Sequence, residues 1–174
     1  MKRVYPNFLL LAFVLISPFC LHAIAWDLEE TVSYEMKNAR VQNEKLMTGG
    51  QPSLKDLGLL KKNGYKVIIN LRGEGESAGY NEKEEAERLG MAYVSIPVEG
   101  ASGVNLENAL ALDKALKENE GKVLIHCASS NRVGALMAII ANKVEGKAIE
   151  ESLEIGRKAG MTRLEEKVKV LLEK

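Results

Sequence analysis

The chain has 174 residues, with 24 basic and 24 acidic side chains and a formal charge of zero. That balance argues against nucleic acid or an anionic membrane as a partner, since both require a cationic face. Its length and 46% hydrophobic content suit one folded domain with a full core.

Lys2 and Arg3, the apolar run Phe8 to Leu21 and the small-residue pattern Ala23-Ile24-Ala25 read as a signal peptide cleaved after Ala25. The run is broken by Ser17 and Pro18 and is short for a membrane span of about 20 residues. The expectation is therefore a periplasmic or secreted domain over residues 26–174, free of the membrane after cleavage. The leader takes Cys20 and His22 with it and leaves His126 and Cys127, which are neighbours. A cysteine without a disulfide partner in an oxidising compartment points to a chemical role.

Leu28, Val32, Met36 and Ala39 lie at helical spacing and predict a peripheral helix over Asp27 to Asn43. Leu46-Met47-Thr48 reads as a short strand, and Gly49-Gly50-Gln51-Pro52 as a turn. Ser53 with Asp56 three residues on opens a helix that Gly64 closes. Tyr65 to Leu71 is a strand rich in β-branched residues, followed by the polar, glycine-rich loop Gly73 to Gly79. Asn81 to Leu89 is a charged helix, Met91 to Val98 a strand, and Glu99 to Val104 a loop. Asn105 caps a helix to about Asn119, and Lys122 to Ile125 is a strand. A helix starting near Val133 and running to Val144 has almost no polar face, so it should be buried. Two amphipathic helices follow, Ala148 to Ala159 and Thr162 to Glu173, with Thr162 as the cap of the second.

Alternating strands and helices imply an α/β fold, with a mostly parallel central sheet flanked by helices on both faces. Ligands bind such sheets beyond the carboxyl ends of the strands. Three loops end there: Arg72 to Tyr80, Glu99 to Val104 and Cys127 to Arg132.

The third loop carries the chemistry. In His126-Cys127-Ala128-Ser129-Ser130-Asn131-Arg132-Val133-Gly134, a strand feeds a cysteine and a helix leaves it. Backbone N–H groups and a helix dipole converge on an anion at such a turn, a setting that suits cysteine as a nucleophile. The Arg132 guanidinium supplies a fork matched to a tetrahedral oxyanion. The thiolate could attack phosphorus, with Arg132 and the amides of Ala128, Ser129, Ser130 and Asn131 holding the oxygens. His126 would orient the loop. Glu99, beside Pro97, is the best-placed general acid, with Glu74 and Glu76 behind it. Arg72 is either a second anion ligand or a strand-end charge tying loops together. Asn131 tolerates a left-handed turn, and a hydroxyl from Ser129 or Ser130 could assist departure of the thiolate.

His-Cys, a short serine-containing loop, Arg and a helix resemble the tyrosine and dual-specificity phosphatase superfamily. The segments Gly49-Gly50-Gln51-Pro52-Ser53, Val67 to Arg72 and Ile96-Pro97-Val98 add a closer resemblance to its bacterial "beta-lactamase hydrolase-like" branch. The resemblance implies a cysteine-phosphatase three-layer sandwich, with Cys127 as nucleophile, Arg132 as phosphate ligand and no metal or cofactor. Phosphatases of that superfamily place five residues between cysteine and arginine, one of them glycine, whereas this loop holds four and no glycine. The tighter loop is also similar to rhodanese-like sulfurtransferases, in which the cysteine carries a persulfide. The expected partner is accordingly a small phosphorylated or sulfur-containing anion, or a phosphoprotein. A module that holds the anion without turnover is the third reading.

Overall fold

The computed structural model describes residues 33–174, so the signal-peptide reading and the first part of the predicted N-terminal helix lie outside the described residues. The elements in chain order are β1 (Arg40–Asn43), β2 (Leu46–Gly49), α1 (Leu54–Lys62), β3 (Tyr65–Asn70), α2 (Glu82–Arg88), β4 (Ala92–Ser95), α3 (Leu106–Glu118), β5 (Lys122–His126), α4 (Asn131–Lys143), α5 (Ile149–Lys158) and α6 (Glu165–Leu172).

The sheet order is β1-β2-β5-β3-β4, antiparallel between β1 and β2 and parallel elsewhere. β5 is central and apolar on both faces, as a parallel strand covered on both sides must be. Val123 and Ile125 face the core shared with α3, α4, α5 and α6, while Leu124 faces the one shared with α1 and α2. The register aligns Gly49, His126, Asn70 and Ser95 in one row across the four parallel strands. The residues that follow, Gly50, Cys127, Leu71 and Ile96, therefore leave the sheet at one edge.

Local signals set several boundaries. Ser53 and Asp56 form a reciprocal capping box at the start of α1, and Asn81 and Asn105 cap α2 and α3 through their side chains. Two expectations fail. No described part of the predicted N-terminal helix forms: residues 33–39 are irregular and 40–43 are strand β1, with the Met36 thioether packed over Gly49 where the chain turns to run along β2. Thr162 does not cap α6. Its N–H and hydroxyl are both committed to Asn131 Oδ1, at 2.8 and 3.2 Å, and Leu164 occupies the cap position.

Nine of the thirteen residues of α4 are buried, which makes it the pillar against which α3, α5 and α6 pack. It crosses α5 closely because both helices present glycine at the crossing. A Cβ on Gly134 would overlap the Met161 nitrogen and the Gly156 carbonyl oxygen. Gly134→Ala should therefore lower the stability by about 2 kcal/mol or more through overpacking of backbone. Gly58, exposed in α1 with open space around its Cα, provides the contrast: Gly58→Ala should raise stability by about 0.5–1 kcal/mol. Urea midpoints of the two variants check both signs.

Candidate active site

Cys127 is the first residue beyond β5 and is 1% exposed. Its N–H donates to Gly49 O at 3.3 Å, so the sheet's hydrogen bonding extends one residue past the strand. Ser129 bridges to Gly50, and its carbonyl accepts the Asn38 amide at 3.0 Å. A Cβ on Gly50 would lie 2.9 Å from Ala128 O. The glycine pair before Gln51 thus lets the backbone of the cysteine loop approach closely.

The loop turns into α4 at Ser130, whose φ is +67°, a left-handed conformation. The sequence suggested Asn131 for this role. Asn131 is instead the first residue of α4, two residues earlier than expected, and its side chain points to Thr162. Ser130 tolerates the conformation because its hydroxyl donates to Ala159 O at 2.7 Å and Gly160 makes room beside its Cβ. The Ser130 hydroxyl is thereby committed away from the sulfur, so of the two serines considered for assisting the thiolate it is excluded. It also does not cap α4. The N–H groups of the first turn of α4 consequently have no intrahelical partner and no side-chain cap.

Arg132 lies in that first turn and is buried. Its terminal nitrogens meet both oxygens of Glu76, Nη2 to Oε2 at 2.8 Å, and Nη1 also donates to Val98 O at 2.8 Å. This fork-to-fork contact holds the Glu76 carboxyl down to about 2 from its ordinary 4.5. The N–H of Gly73 and the charge of Arg72 act in the same direction. The Arg132 guanidinium is in turn held above its ordinary value, first by Glu76 and then, against the opposing effect of burial, by the neighbouring Cys127 sulfur. Glu76, weighed above as an acid, is therefore an ionised carboxylate that aims Arg132. Nothing in the sequence pairs two residues 56 positions apart except that both fall at the same sheet edge.

Arg72 binds Gln51, the Ser77 carbonyl at 2.7 Å and, at 3.6 Å, Glu76. It ties three loops together and is not among the residues lining the cleft. Gln51 passes the connection on to Glu82, donating at 2.9 Å. Buried Glu82 also accepts from Tyr93 at 3.2 Å. His126 is fully buried, with Nε2 3.1 Å from Glu82 Oε1 but not hydrogen-bonded to it, and Nδ1 3.4 Å from Cys127 O. A polar chain thus runs beneath the loop from Arg132 through Glu76, Arg72, Gln51 and Glu82 to His126.

Above the loop opens a cleft of about 500 Å³, floored by Cys127 and Arg132 and walled by Glu76, Gly100, Ala101 and Arg163. Ala128, Ser129 and Asn131 also line it. Glu99 is exposed next to this wall. Its carboxylate accepts the Glu74 N–H at 3.1 Å and covers Gly73, where a Cβ would overlap it. Arg163, from the α5–α6 loop, has no counterpart in the strand-end loops that the sequence singled out.

Comparison with known proteins places this geometry. The family described as "DSP-PTPase phosphatase fused to NAD+ Kinase" matches residues 21–171. A "Beta-lactamase hydrolase-like protein" of Xylella fastidiosa strain Temecula1 is 34% identical over 116 residues, 64% of this chain but 26% of that protein, so the chain spans about a quarter of the length of this relative. Among solved structures, a candidate phosphatase (DUF442) from Shewanella putrefaciens CN-32 aligns with a TM-score of 0.61 at 25% identity, covering 79% of this chain and 87% of that one. Pseudomonas aeruginosa TpbA, in a cysteine-to-serine form complexed with phosphotyrosine, shares the fold with a TM-score of 0.56 at 18% identity, over 78% and 82% of the two chains.

The Glu76–Arg132 contact has a pH signature. A carboxyl depressed from 4.5 to about 2 adds stability that is complete above 4.5 and is lost as pH falls towards 2. With Glu76 partly exposed, the effect is on the order of 1–2 kcal/mol. Glu76→Gln should flatten the loss of stability between pH 4.5 and 2, measured as urea midpoint against pH. At the loop itself, Ser130→Ala should destabilise more than Ser130→Gly. Both remove the bond to Ala159 O, but glycine alone relieves the left-handed strain, by about 1 kcal/mol. Thermal denaturation of the two variants checks the order.

Proposed function

The chain belongs to the family described as DSP-PTPase phosphatase fused to NAD+ kinase, and on that premise we propose that it is an exported, cysteine-dependent phosphatase of phosphate monoesters. The observation that carries the reading is the coincidence, in one cleft, of the Cys127 sulfur, the uncapped N-terminus of α4 and a guanidinium aimed by Glu76. Two groups that favour a tetrahedral dianion, the helix N-terminus and the guanidinium, converge on the one thiol among the described residues.

The Cys127 thiolate attacks phosphorus, an S–P bond forms, and the ester P–O bond breaks as the leaving oxygen takes up a proton. Water then attacks the phosphocysteine and gives a proton back to the carboxylate that protonated the leaving oxygen, the S–P bond breaks, and inorganic phosphate leaves with the thiolate restored. Arg132 and the amides of residues 128–132 take the charge that builds on the non-bridging oxygens. Neither step draws on the Glu82–His126 pair, which fixes the loop from below. The proton donor comes from the turn that carries Glu99, once its carboxylate is released from the Glu74 N–H and swings toward the cleft. Export rests on the leader-like residues 1–25. Small phosphoesters and phosphorylated side chains both fit the reading, supported by the phosphotyrosine complex of the TpbA relative.

Cys127→Ser should abolish release of nitrophenol from p-nitrophenyl phosphate and still bind inorganic phosphate. Normal turnover in that variant would remove Cys127 as nucleophile, and phosphate binding without turnover in the unaltered protein would make it a binding module. A 32 Da adduct from thiosulfate, with no nitrophenol released, would move it to sulfurtransfer. Arg132→Lys keeps the charge but loses the fork, and should lower kcat/KM by about 10² or more in steady-state assays. With Glu99 as the acid, Glu99→Gln should slow alkyl phosphates, whose leaving groups are poor, about 10²-fold more than nitrophenyl phosphate.

A further inference from the structure

Arg163 has no part in the chemistry just described, yet it lines the same cleft as Cys127 and Arg132. Its surroundings differ from those of the other arginines nearby. Arg132 is taken by Glu76 and Val98, and Arg157 is shared among Glu150, Glu154 and Glu165. No carboxylate among the described residues pairs with Arg163, and its side chain is exposed.

The backbone that carries it is tied to the cysteine loop. Ala159 O receives the Ser130 hydroxyl, Gly160 packs over Ser130, and Thr162 donates twice to Asn131. Leu164, on the other side of Arg163, is buried in the core beneath α4. Arg163 thus projects from a clamped stem, so little backbone freedom is lost when its guanidinium engages a ligand. The cleft of about 500 Å³ is far larger than a phosphate group and lies within the range of about 300–1,000 Å³ typical of small-molecule sites. Space therefore remains between the phosphate cradle and Arg163 for the rest of a substrate.

Building on the phosphatase reading, we infer that Arg163 is a second anion-binding group, and that the favoured substrates carry a carboxylate or a second phosphate beyond the scissile one. Among the described residues that line the cleft, Arg163 is the cation not paired with a carboxylate, and a planar donor fork suits either group.

The test is equilibrium binding by calorimetry, which does not depend on turnover. The probes are benzylphosphonates bearing a meta or para carboxylate, each beside its neutral carboxamide isostere. For the unaltered protein, at least one carboxylate isomer should bind about fivefold more tightly than its carboxamide, the scale of one half-exposed ion pair. In Arg163→Gln the two should bind equally, and Arg163→Lys should restore part of the preference. Absence of a carboxylate preference in the unaltered protein, a preference that survives in Arg163→Gln, or failure of every phosphonate to bind would each overturn the inference. Hydrolysis of p-nitrophenyl phosphate is read separately. A protein that prefers the carboxylates but hydrolyses nothing keeps this inference and loses the phosphatase reading, and hydrolysis without the preference does the reverse.

Discussion

The structure depends on how sharply the chain turns from β5 into α4. Four residues separate Cys127 from Arg132, and within them the backbone must leave a sheet and enter a helix while keeping its N–H groups inward. This short loop closes with one residue left-handed, and that residue is Ser130. A serine there is costly by itself, on the order of 1 kcal/mol. The cost is offset by the bond to Ala159 and by the space that Gly160 leaves. The helix pair that follows α4 is therefore part of the site's support, since residues 159–162 hold Ser130 and Asn131 where the turn enters the helix.

A second support lies beneath. The chain from Arg132 through Glu76, Arg72, Gln51 and Glu82 to His126 joins the two ends of the cysteine loop by way of the loops after β2 and β3. Buried polar groups are costly when unpaired, so each member depends on the next. Tyr93 closes the far side: burial first, and then Glu82, push its phenol to about 12, so it stays a donor to Glu82 while it accepts from Asn70 at 2.7 Å. The glutamine of the Gly-Gly-Gln-Pro segment is the crossing point, with its amide oxygen on Arg72 and its nitrogen on Glu82. That segment accordingly has two functions: its glycines admit the loop backbone and its glutamine joins the two halves of the network.

What could be read from the sequence was what is local. The Ser53–Asp56 pair, the Asn105 cap and the apolar run of α4 are short-range signals; α1 and α3 start where those signals put them, and α4 is buried as its composition implies, though it starts two residues earlier. The shared sheet edge followed from strand–helix alternation alone. The misreadings have one cause, which is contact between distant residues. Met36 sits at helical spacing with its neighbours, but packing on Gly49 draws the following residues into β1. Asparagine is the better left-handed residue by propensity, yet Thr162 holds Asn131 in the helix and Ala159 holds Ser130 in the turn. Arg72 was readable as a loop tie or as a ligand, and its side chain bonds Gln51 and the Ser77 carbonyl, two residues of neighbouring loops. Glu76 and Arg163 reach the site from the loops after β3 and α5, and spacing carries no record of either approach.

The close crossing of α4 and α5 at Gly134 and Gly156 has a consequence for how the cleft can adapt. There the backbones of the two helices meet directly at Gly134 and Gly156, with the Met161 and Ala138 side chains packed around the contact. The cysteine loop, α4, α5 and the segment to Leu164 therefore behave as one rigid jaw. The opposite jaw is built of strand-end loops, 73–79 and 99–103, with open space around Gly75, Gly79 and Gly100. Displacement on that side carries with it Glu76, which holds Arg132, and Glu99, so variation there couples the shapes admitted to the setting of the reacting groups.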